Sequence, residues 1–178
     1  MKLFVFFAAW VSLAASAALA QSRHLTVNTG GSVNCVTTSG ESGFNIDAWA
    51  IGGKDLVSGF HATGTLVSPP RMGDLSISKS VDACSAQLQQ KFLMEAALPS
   101  FVLTQYSSGI RPVALLVITL TNPTMTSYQL TGTTGERPLE SVSFTFTKVC
   151  LKEQKQNADG SQGSSTQICY DRLTNTTS

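Results

Sequence analysis

The feature that most constrains the fold is a series of short segments after residue 100, each predicted to be a strand. They cover residues 101–106, 113–121, 127–130, 142–151 and 167–173. Turn-forming residues separate them, in particular glycine, proline and asparagine at 107–109, 122–123, 132–138 and 157–163. Many short strands joined by such turns are typical of an antiparallel sheet protein.

The first half of the chain adds more strands and a single helix. Residues 44–51 alternate apolar and polar side chains, and residues 75–78 do so again over a shorter stretch. The helix is predicted to begin at an N-cap Ser85 and to end before Pro99. Its apolar face would comprise Leu88, Phe92, Leu93 and Ala96. The sequence therefore predicts a mainly β protein, a small antiparallel β-barrel of two sheets with one flanking α-helix.

The first twenty residues have the order of a secretory signal peptide. Lys2 precedes an apolar stretch at 3–11, and the triplet Ala18-Leu19-Ala20 supplies an A-x-A cleavage site. We expect cleavage there, with residues 21–178 folding as one domain in a secreted or periplasmic location. The alternative is an uncleaved membrane anchor, because eighteen residues can just span a bilayer. After cleavage no membrane association is expected.

The four cysteines fit an oxidising compartment, because their number is even and none forms a C-x-x-C pair. Cys150 and Cys169 lie symmetrically about Asp159-Gly160, a dipeptide that favours a two-residue type I′ hairpin turn. Pairing across that hairpin favours a Cys150–Cys169 disulfide and leaves Cys35 with Cys84. Four free buried thiols are the alternative.

Charge and composition exclude several functional classes. After residue 20 the chain has eleven cations and eleven anions, so it lacks the electrostatic attraction on which nucleic-acid binding depends. No HExxH, His-x-His or calcium-loop pattern is present, so we predict no metal or cofactor site. His24 and His61 are interpreted as loop residues, and Glu136 and Glu140 as solvated charges beside a turn. We therefore expect no enzymatic activity.

Several segments, in this order along the chain, resemble the haemolysin-coregulated protein (Hcp) family, whose members form the tube of type VI secretion. They are residues 40–42 (GES), 46–52 (IDAWAIG), 75–82 (LSISKSVD), 116–122 (LVITLTN), 127–129 (SYQ), 140–149 (ESVSFTFTKV) and 157–161 (NADGS). Together they cover most of residues 40–173.

The resemblance implies a structural protein that assembles as a homo-oligomer, a six-membered ring. In the family such rings stack into a hollow tube whose lumen can carry small effector proteins. By the same analogy the loop at 52–70 would reach toward a neighbouring subunit or ring. Its candidate contact residues are Lys54, Asp55, Phe60, His61 and Leu66.

Two features depart from the family pattern, namely the signal peptide and the paired cysteines around the last hairpin. They indicate an Hcp-like protein exported by the general secretory route. The main hypothesis is therefore an exported ring-forming structural protein. The alternative is a monomeric secreted β-barrel that displays loops to a partner and has no tube role.

Overall fold

The computed structural model describes residues 25–33, 35–37, 42–54, 71–108 and 112–178. Thirteen strands and one helix lie in these ranges. They are β1 (Leu25–Asn28), β2 (Phe44–Asn45), β3 (Ala48–Ala50), β4 (Gly53–Lys54), β5 (Arg71–Met72), β6 (Leu75–Ser80), α1 (Ser85–Leu93), β7 (Phe101–Tyr106), β8 (Ala114–Thr121), β9 (Thr124–Thr131), β10 (Leu139–Thr145), β11 (Lys148–Gln156), β12 (Gln162–Asp171) and β13 (Thr176–Thr177).

The strands form two large antiparallel sheets and one small hairpin. The seven-stranded sheet has the order β13-β12-β11-β8-β7-β1-β2, and the four-stranded sheet has the order β3-β6-β10-β9. The hairpin consists of β4 and β5. The prediction of a mainly β protein with two antiparallel sheets and one helix is confirmed. Closure into a barrel is not seen among the described strands, because no ladder of hydrogen bonds joins the two large sheets.

Two segments predicted as single strands are each divided between the sheets. Residues 44–51 form β2 in one sheet and β3 in the other, with the crossing at Ile46 and Asp47. The amide of Ile46 donates to Leu25, whereas that of Asp47 donates to Ser78 in the other sheet. Residues 142–151 are divided in the same way at Phe146 and Thr147. The alternation of side chains is similar on both sides of such a corner, so the pattern alone did not reveal it.

The core lies between the two large sheets. Phe101 on β7 and Phe144 on β10 are fully buried, and their ring centroids lie 4.7 Å apart across the interface between the sheets. Alternate residues of each strand point into this layer, as the pattern of period two requires. Other fully buried members are Val27, Leu103 and Ile118 from the seven-stranded sheet and Leu75, Ile77 and Val142 from the four-stranded sheet.

The helix is present, but it begins one residue earlier than predicted and ends several residues before Pro99. Ser85 is its first residue rather than its N-cap, and Cys84 occupies the cap position without a side-chain cap bond. The Asp82 carboxylate instead accepts from the Cys84 amide at 2.8 Å. The helix ends at Leu93, well before Pro99, because Glu95 adopts a left-handed conformation (φ 49°) that closes the last turn. Leu88 is buried, whereas Leu93 is exposed.

Within the described ranges no helix is long and apolar enough to cross a membrane.

Candidate assembly surface

The four-stranded sheet has two open edges, formed by β9 on one side and β3 on the other. Strand β9 pairs with β10 only, and β3 pairs with β6 only, among the strands that the structure describes. The β9 sequence is TMTSYQLT, which contains neither a charged residue nor a proline. Charges and prolines are the usual means by which proteins protect an edge strand. A bulge, which can also protect an edge strand, lies at the Ser143/Phe144 step of the β9–β10 pairing.

Exposed apolar side chains are concentrated around β9. Leu130 lies on β9 itself, and Leu139 lies on the adjacent strand β10. Leu93 and Met94 lie at the end of α1, which packs against β9. Leu93 is 72% exposed and Leu130 is 60% exposed. We call β9 with Leu93, Met94 and Leu130 the β9 edge surface, since Leu139 lies on the opposite face of the sheet, beside Ser80. Uneven clustering of this kind is typical of a surface that contacts another protein.

The outer face of the four-stranded sheet is rich in serine and free of charge at its centre. The three strands β6, β10 and β9 place serines there in register, and the Ser76 and Ser143 hydroxyls are 2.8 Å apart. We call this the serine face. Its polar members are Ser76, Ser78, Ser80, Ser141, Ser143, Ser127 and Gln129, and the half-exposed Leu139 lies beside them, opposite Ser80. The opposite, inward face of the same strands carries the apolar core.

A buried polar cluster lies on that inward face and connects the sheet to the helix. Lys79 on β6 and Glu140 on β10 are adjacent in register, and each is 1% exposed. The Lys79 ammonium is 2.6 Å from Glu140 Oε1 and 2.8 Å from the Asp82 carboxylate. It also donates to the carbonyl of Ser80 at 2.9 Å. The charge of each ion is therefore offset by a partner, as burial requires.

Two hydroxyl groups complete the cluster. Ser85, at the start of α1, donates to Glu140 Oε1 at 2.7 Å, and Tyr128 on β9 donates to Oε2 at 2.6 Å. Burial and the adjacent carboxylate of Glu140 raise the pKa of Tyr128, so the phenol remains a neutral donor. The cluster therefore ties β6, β9, β10 and the first turn of α1 together.

The interpretation of Glu140 as a solvated turn charge was wrong. Glu136 is exposed in the turn as expected, but Glu140 has already entered β10 and points inward. Its partner Lys79 is 61 residues away in sequence, and the pairing of β6 with β10 brings the two together. Each of them sits in a segment with alternating apolar neighbours, and this pattern was the only local signal of burial.

The structure contains two disulfides, Cys35–Cys84 and Cys150–Cys169, and this is the pairing that the sequence favoured. The first ties the segment before β2 to the N-terminus of α1. The second joins the directly opposed residues of β11 and β12, whose Cα atoms are 4.0 Å apart. That short distance is typical of a non-hydrogen-bonded antiparallel pair. Accordingly, the Cys169 amide donates to Ser178 rather than to β11.

The turn of this hairpin differs from the prediction. The amide of Gly160 donates to the carbonyl of Asn157, and Gly160 adopts a positive φ of 82°. The loop thus has three residues, 158–160, instead of the two that a type I′ turn has. A register shift between Gln154 and Gln156 compensates for the extra residue and keeps Cys150 opposite Cys169.

Most of the predicted contact loop lies outside the described residues. Asp55, Phe60, His61 and Leu66 fall in the range 55–70, and only the backbone of Lys54, in β4, is described. The signal segment 1–20 and both histidines also lie outside the described ranges. Among the described residues no group of three or more histidine, cysteine or acidic side chains could hold a metal ion.

The fold and the order of the motifs agree with a comparison against protein families. Residues 32–152, about two thirds of the chain, match the family described as "Type VI secretion system effector, Hcp". The chain belongs to the Hcp family. It is accordingly a structural protein of the kind that forms the type VI secretion tube. The buried cluster lies inside the matched region, and Lys79, Asp82 and Glu140 belong to the segments that first indicated this family.

Solved structures support the Hcp fold over most of the chain. A type six secretion system protein has a TM-score of 0.77 at 19% identity, covering 88% of this chain and all of that one. Hcp1 from Salmonella typhimurium has a TM-score of 0.69 at 16% identity, with 88% and 99% covered. A type VI secretion system effector from Yersinia pestis has a TM-score of 0.64 at 17% identity, with 83% and 98% covered. These identities establish likeness of fold. No curated protein matches the chain.

Proposed function

We propose that this Hcp-family protein is exported through the general secretory route and closes into six-membered rings in the periplasm or outside the cell. The observation that carries the proposal is the pair of uncharged open edges, β9 and β3, on opposite sides of the four-stranded sheet. Family membership supplies the ring as the expected assembly, with six subunits by resemblance.

The placement of the two edges suits ring closure. A contact between β9 of one copy and β3 of the next uses two different surfaces, so each copy still has one free edge. Such head-to-tail contacts form a closed ring when a whole number of copies, each rotated by the same angle from the one before, completes one full turn. Strand β3 is short (Ala48–Ala50) and its side chains are small apart from Trp49, so a neighbour's backbone can approach it closely.

The β9 edge surface provides apolar area for the same contact. Leu93, Met94 and Leu130 would leave water when a neighbouring copy covers the edge. Burial of apolar surface stabilises association by roughly 25 cal/mol per Å² before the entropic costs of association. The edge hydrogen bonds would determine the register of the contact.

The serine face would then line the inside of the ring. If the four-stranded sheets of successive copies join through their edges, their outer faces form a continuous wall. That wall would carry mainly hydroxyl and amide groups, with Leu139 as one exposed apolar side chain. A neutral hydroxyl surface lacks strong charge or large apolar patches, so it would hold small effector proteins weakly enough to release them. Effector carriage is therefore part of the proposal, and no catalytic activity or cofactor is.

Export is supported by the signal pattern and by the cysteines. Cleavage after Ala20 would release a mature domain of residues 21–178. Both cysteine pairs are bonded in the structure, as is usual in an oxidising compartment. A chain exported in this way would not be available to a cytoplasmic sheath.

Light scattering on the oxidised mature chain tests the proposal. We expect a mass several times that of the monomer, and we expect Leu130→Arg to reduce it to the monomer mass because it places a charge in the β9 edge surface. Val36→Arg is the matched control, since Val36 is 70% exposed but lies outside that surface. A monomeric wild-type chain at high concentration would instead support the monomeric binding module.

A further inference from the structure

The outer edge of β12 is only partly paired in the described chain. Strand β13 pairs with Tyr170 and Asp171, and Ser178 continues the ladder at Cys169. Beyond that point residues 162–168 of β12 have no described partner strand on this side. All of these residues except Gly163 are exposed.

The backbone groups of this edge are directed outward at known positions. The Cys169 amide donates to Ser178 at 2.8 Å, and the Cys169 carbonyl accepts from Ser178 at 2.9 Å. Because successive residues of a strand alternate in direction, the amides and carbonyls of Gln167 and Ser165 point the same way. The edge sequence, QGSSTQI, contains no charge and no proline. Nothing in its composition prevents the addition of another strand.

An apolar groove of about 410 Å³ lies beside this edge. Leu151 on β11 and Ile168 on β12 are paired in register and contribute to its floor. Met72, from the β4–β5 hairpin, contributes the opposite wall. Ile168 is 54% exposed, so the groove can be reached from solvent. A side chain of an added strand opposite Ile168 could therefore enter the groove.

The rim of the groove is positively charged. Arg71 lines this groove and an adjoining cavity of about 320 Å³, and it is exposed. Arg172 also lines the adjoining cavity. Its guanidinium already forms a salt bridge with the Asp74 carboxylate at 3.2 Å and donates a hydrogen bond to the Thr145 hydroxyl at 2.9 Å. No ion pair or hydrogen bond of the Arg71 guanidinium with another described residue is seen, and a guanidinium pairs well with a carboxylate.

We propose that β12 binds an extended peptide from another protein by strand addition, with one large apolar side chain in this groove and a neighbouring carboxylate at Arg71. Main-chain bonds to Gln167 and Ser165 would provide affinity, and the groove with the Arg71 rim would provide selectivity. This site is separate from the β9 edge surface and does not depend on ring formation.

Fluorescence anisotropy on the oxidised mature chain tests the proposal. The probes are labelled nine-residue peptides of alternating threonine and valine with a central leucine. A glutamate is placed at each position around the leucine in turn, and a matched set carries lysine instead. We expect at least one glutamate probe to bind and its lysine counterpart to bind about tenfold more weakly. Failure of every glutamate probe to bind at concentrations up to about 1 mM would overturn the proposal.

Three variants locate the binding. Gln167→Pro removes an outward amide from the edge, Ile168→Asp places a charge in the groove, and both should abolish binding. Arg71→Glu should weaken the glutamate probe about tenfold and strengthen the lysine probe. Val36→Asp, at an exposed apolar position away from the groove, should bind as the wild type does. Circular dichroism identifies a misfolded Gln167→Pro, in which case Ile168→Asp decides.

Light scattering separates this site from a contact between copies. We expect the mass of Ile168→Asp to equal that of the wild type, whether the wild type is a ring or a monomer. A lower mass would mean that a second copy occupies the β12 edge, and would overturn the peptide proposal. Equal binding of the probe by the wild type and a folded Ile168→Asp would overturn it as well.

Discussion

At the scale of single residues, the buried cluster around Glu140 is the least typical feature of the protein. Two ions with 1% exposure are held by each other and by Asp82, Ser85 and Tyr128. Neither ion lay in a predicted strand, and their contact depends on the register of β6 and β10, which no local pattern specifies. The apolar core positions were predictable from alternation, whereas this polar set was not.

Removing one charge of the Lys79–Glu140 pair should lower the free energy of unfolding strongly. Removing both charges should cost less than the two single removals added together. Glu140→Gln leaves the Lys79 ammonium buried beside one half-exposed carboxylate, so we expect a loss of about 3 kcal/mol in the free energy of unfolding. The double variant Lys79→Met/Glu140→Gln removes both charges and keeps an acceptor for Tyr128. Its loss should be smaller than the sum of the two single losses.

Urea unfolding of Lys79→Met, Glu140→Gln and the double variant measures this coupling. Glu136→Gln is the control, because Glu136 is exposed, and it should stay within about 0.5 kcal/mol of the wild type. Additive losses in the cycle would show that Lys79 and Glu140 do not act as a pair.

Gly43 is a second residue whose identity the fold requires. Its φ is +133°, and a Cβ atom placed there would lie 2.2 Å from the carbonyl oxygen of Val27 on β1. We therefore expect Gly43→Ala to lower the free energy of unfolding by about 2–3 kcal/mol. Gly132→Ala is the matched control, since a Cβ there meets nothing within 4 Å. Similar stabilities of the two variants would contradict the close approach of Gly43 to β1.

At the scale of elements, the sequence predicted which segments form strands better than it predicted where they turn. The pattern at 75–78 corresponds to β6, and that at 101–106 corresponds to β7. The points at which the chain crosses from one sheet to the other, at Ile46–Asp47 and Phe146–Thr147, were not predicted, because neither contains a glycine or proline. The C-terminal end of the helix was not predicted either, because Glu95, rather than a glycine, adopts the left-handed conformation there.

The two disulfides should contribute unequally to stability. They span 49 and 19 residues, so the chain-entropy model assigns about 4 kcal/mol to Cys35–Cys84 and about 3 kcal/mol to Cys150–Cys169. Urea unfolding of Cys35→Ala/Cys84→Ala and Cys150→Ala/Cys169→Ala compares the two. A larger loss in the second double variant would contradict a mainly entropic role. Mass analysis of non-reduced peptides verifies the pairing.

At the scale of the whole molecule, the fold and the family could be anticipated from ordered motifs, but the surfaces could not. The openness of the β9 and β12 edges follows from strand order, which depends on contacts between distant segments. The β9 edge surface likewise combines residues from α1 and β9. A single sequence does not reveal which side chains share a surface.

Electron microscopy of the purified, oxidised mature chain tests most directly whether it is a building block that closes on itself. We expect closed rings with a central opening, and we expect them to disappear in Leu130→Arg while Val36→Arg retains them. Fields of single small particles for the wild type, at concentrations where Hcp-family rings would be expected to form, would contradict ring closure through the β9 edge.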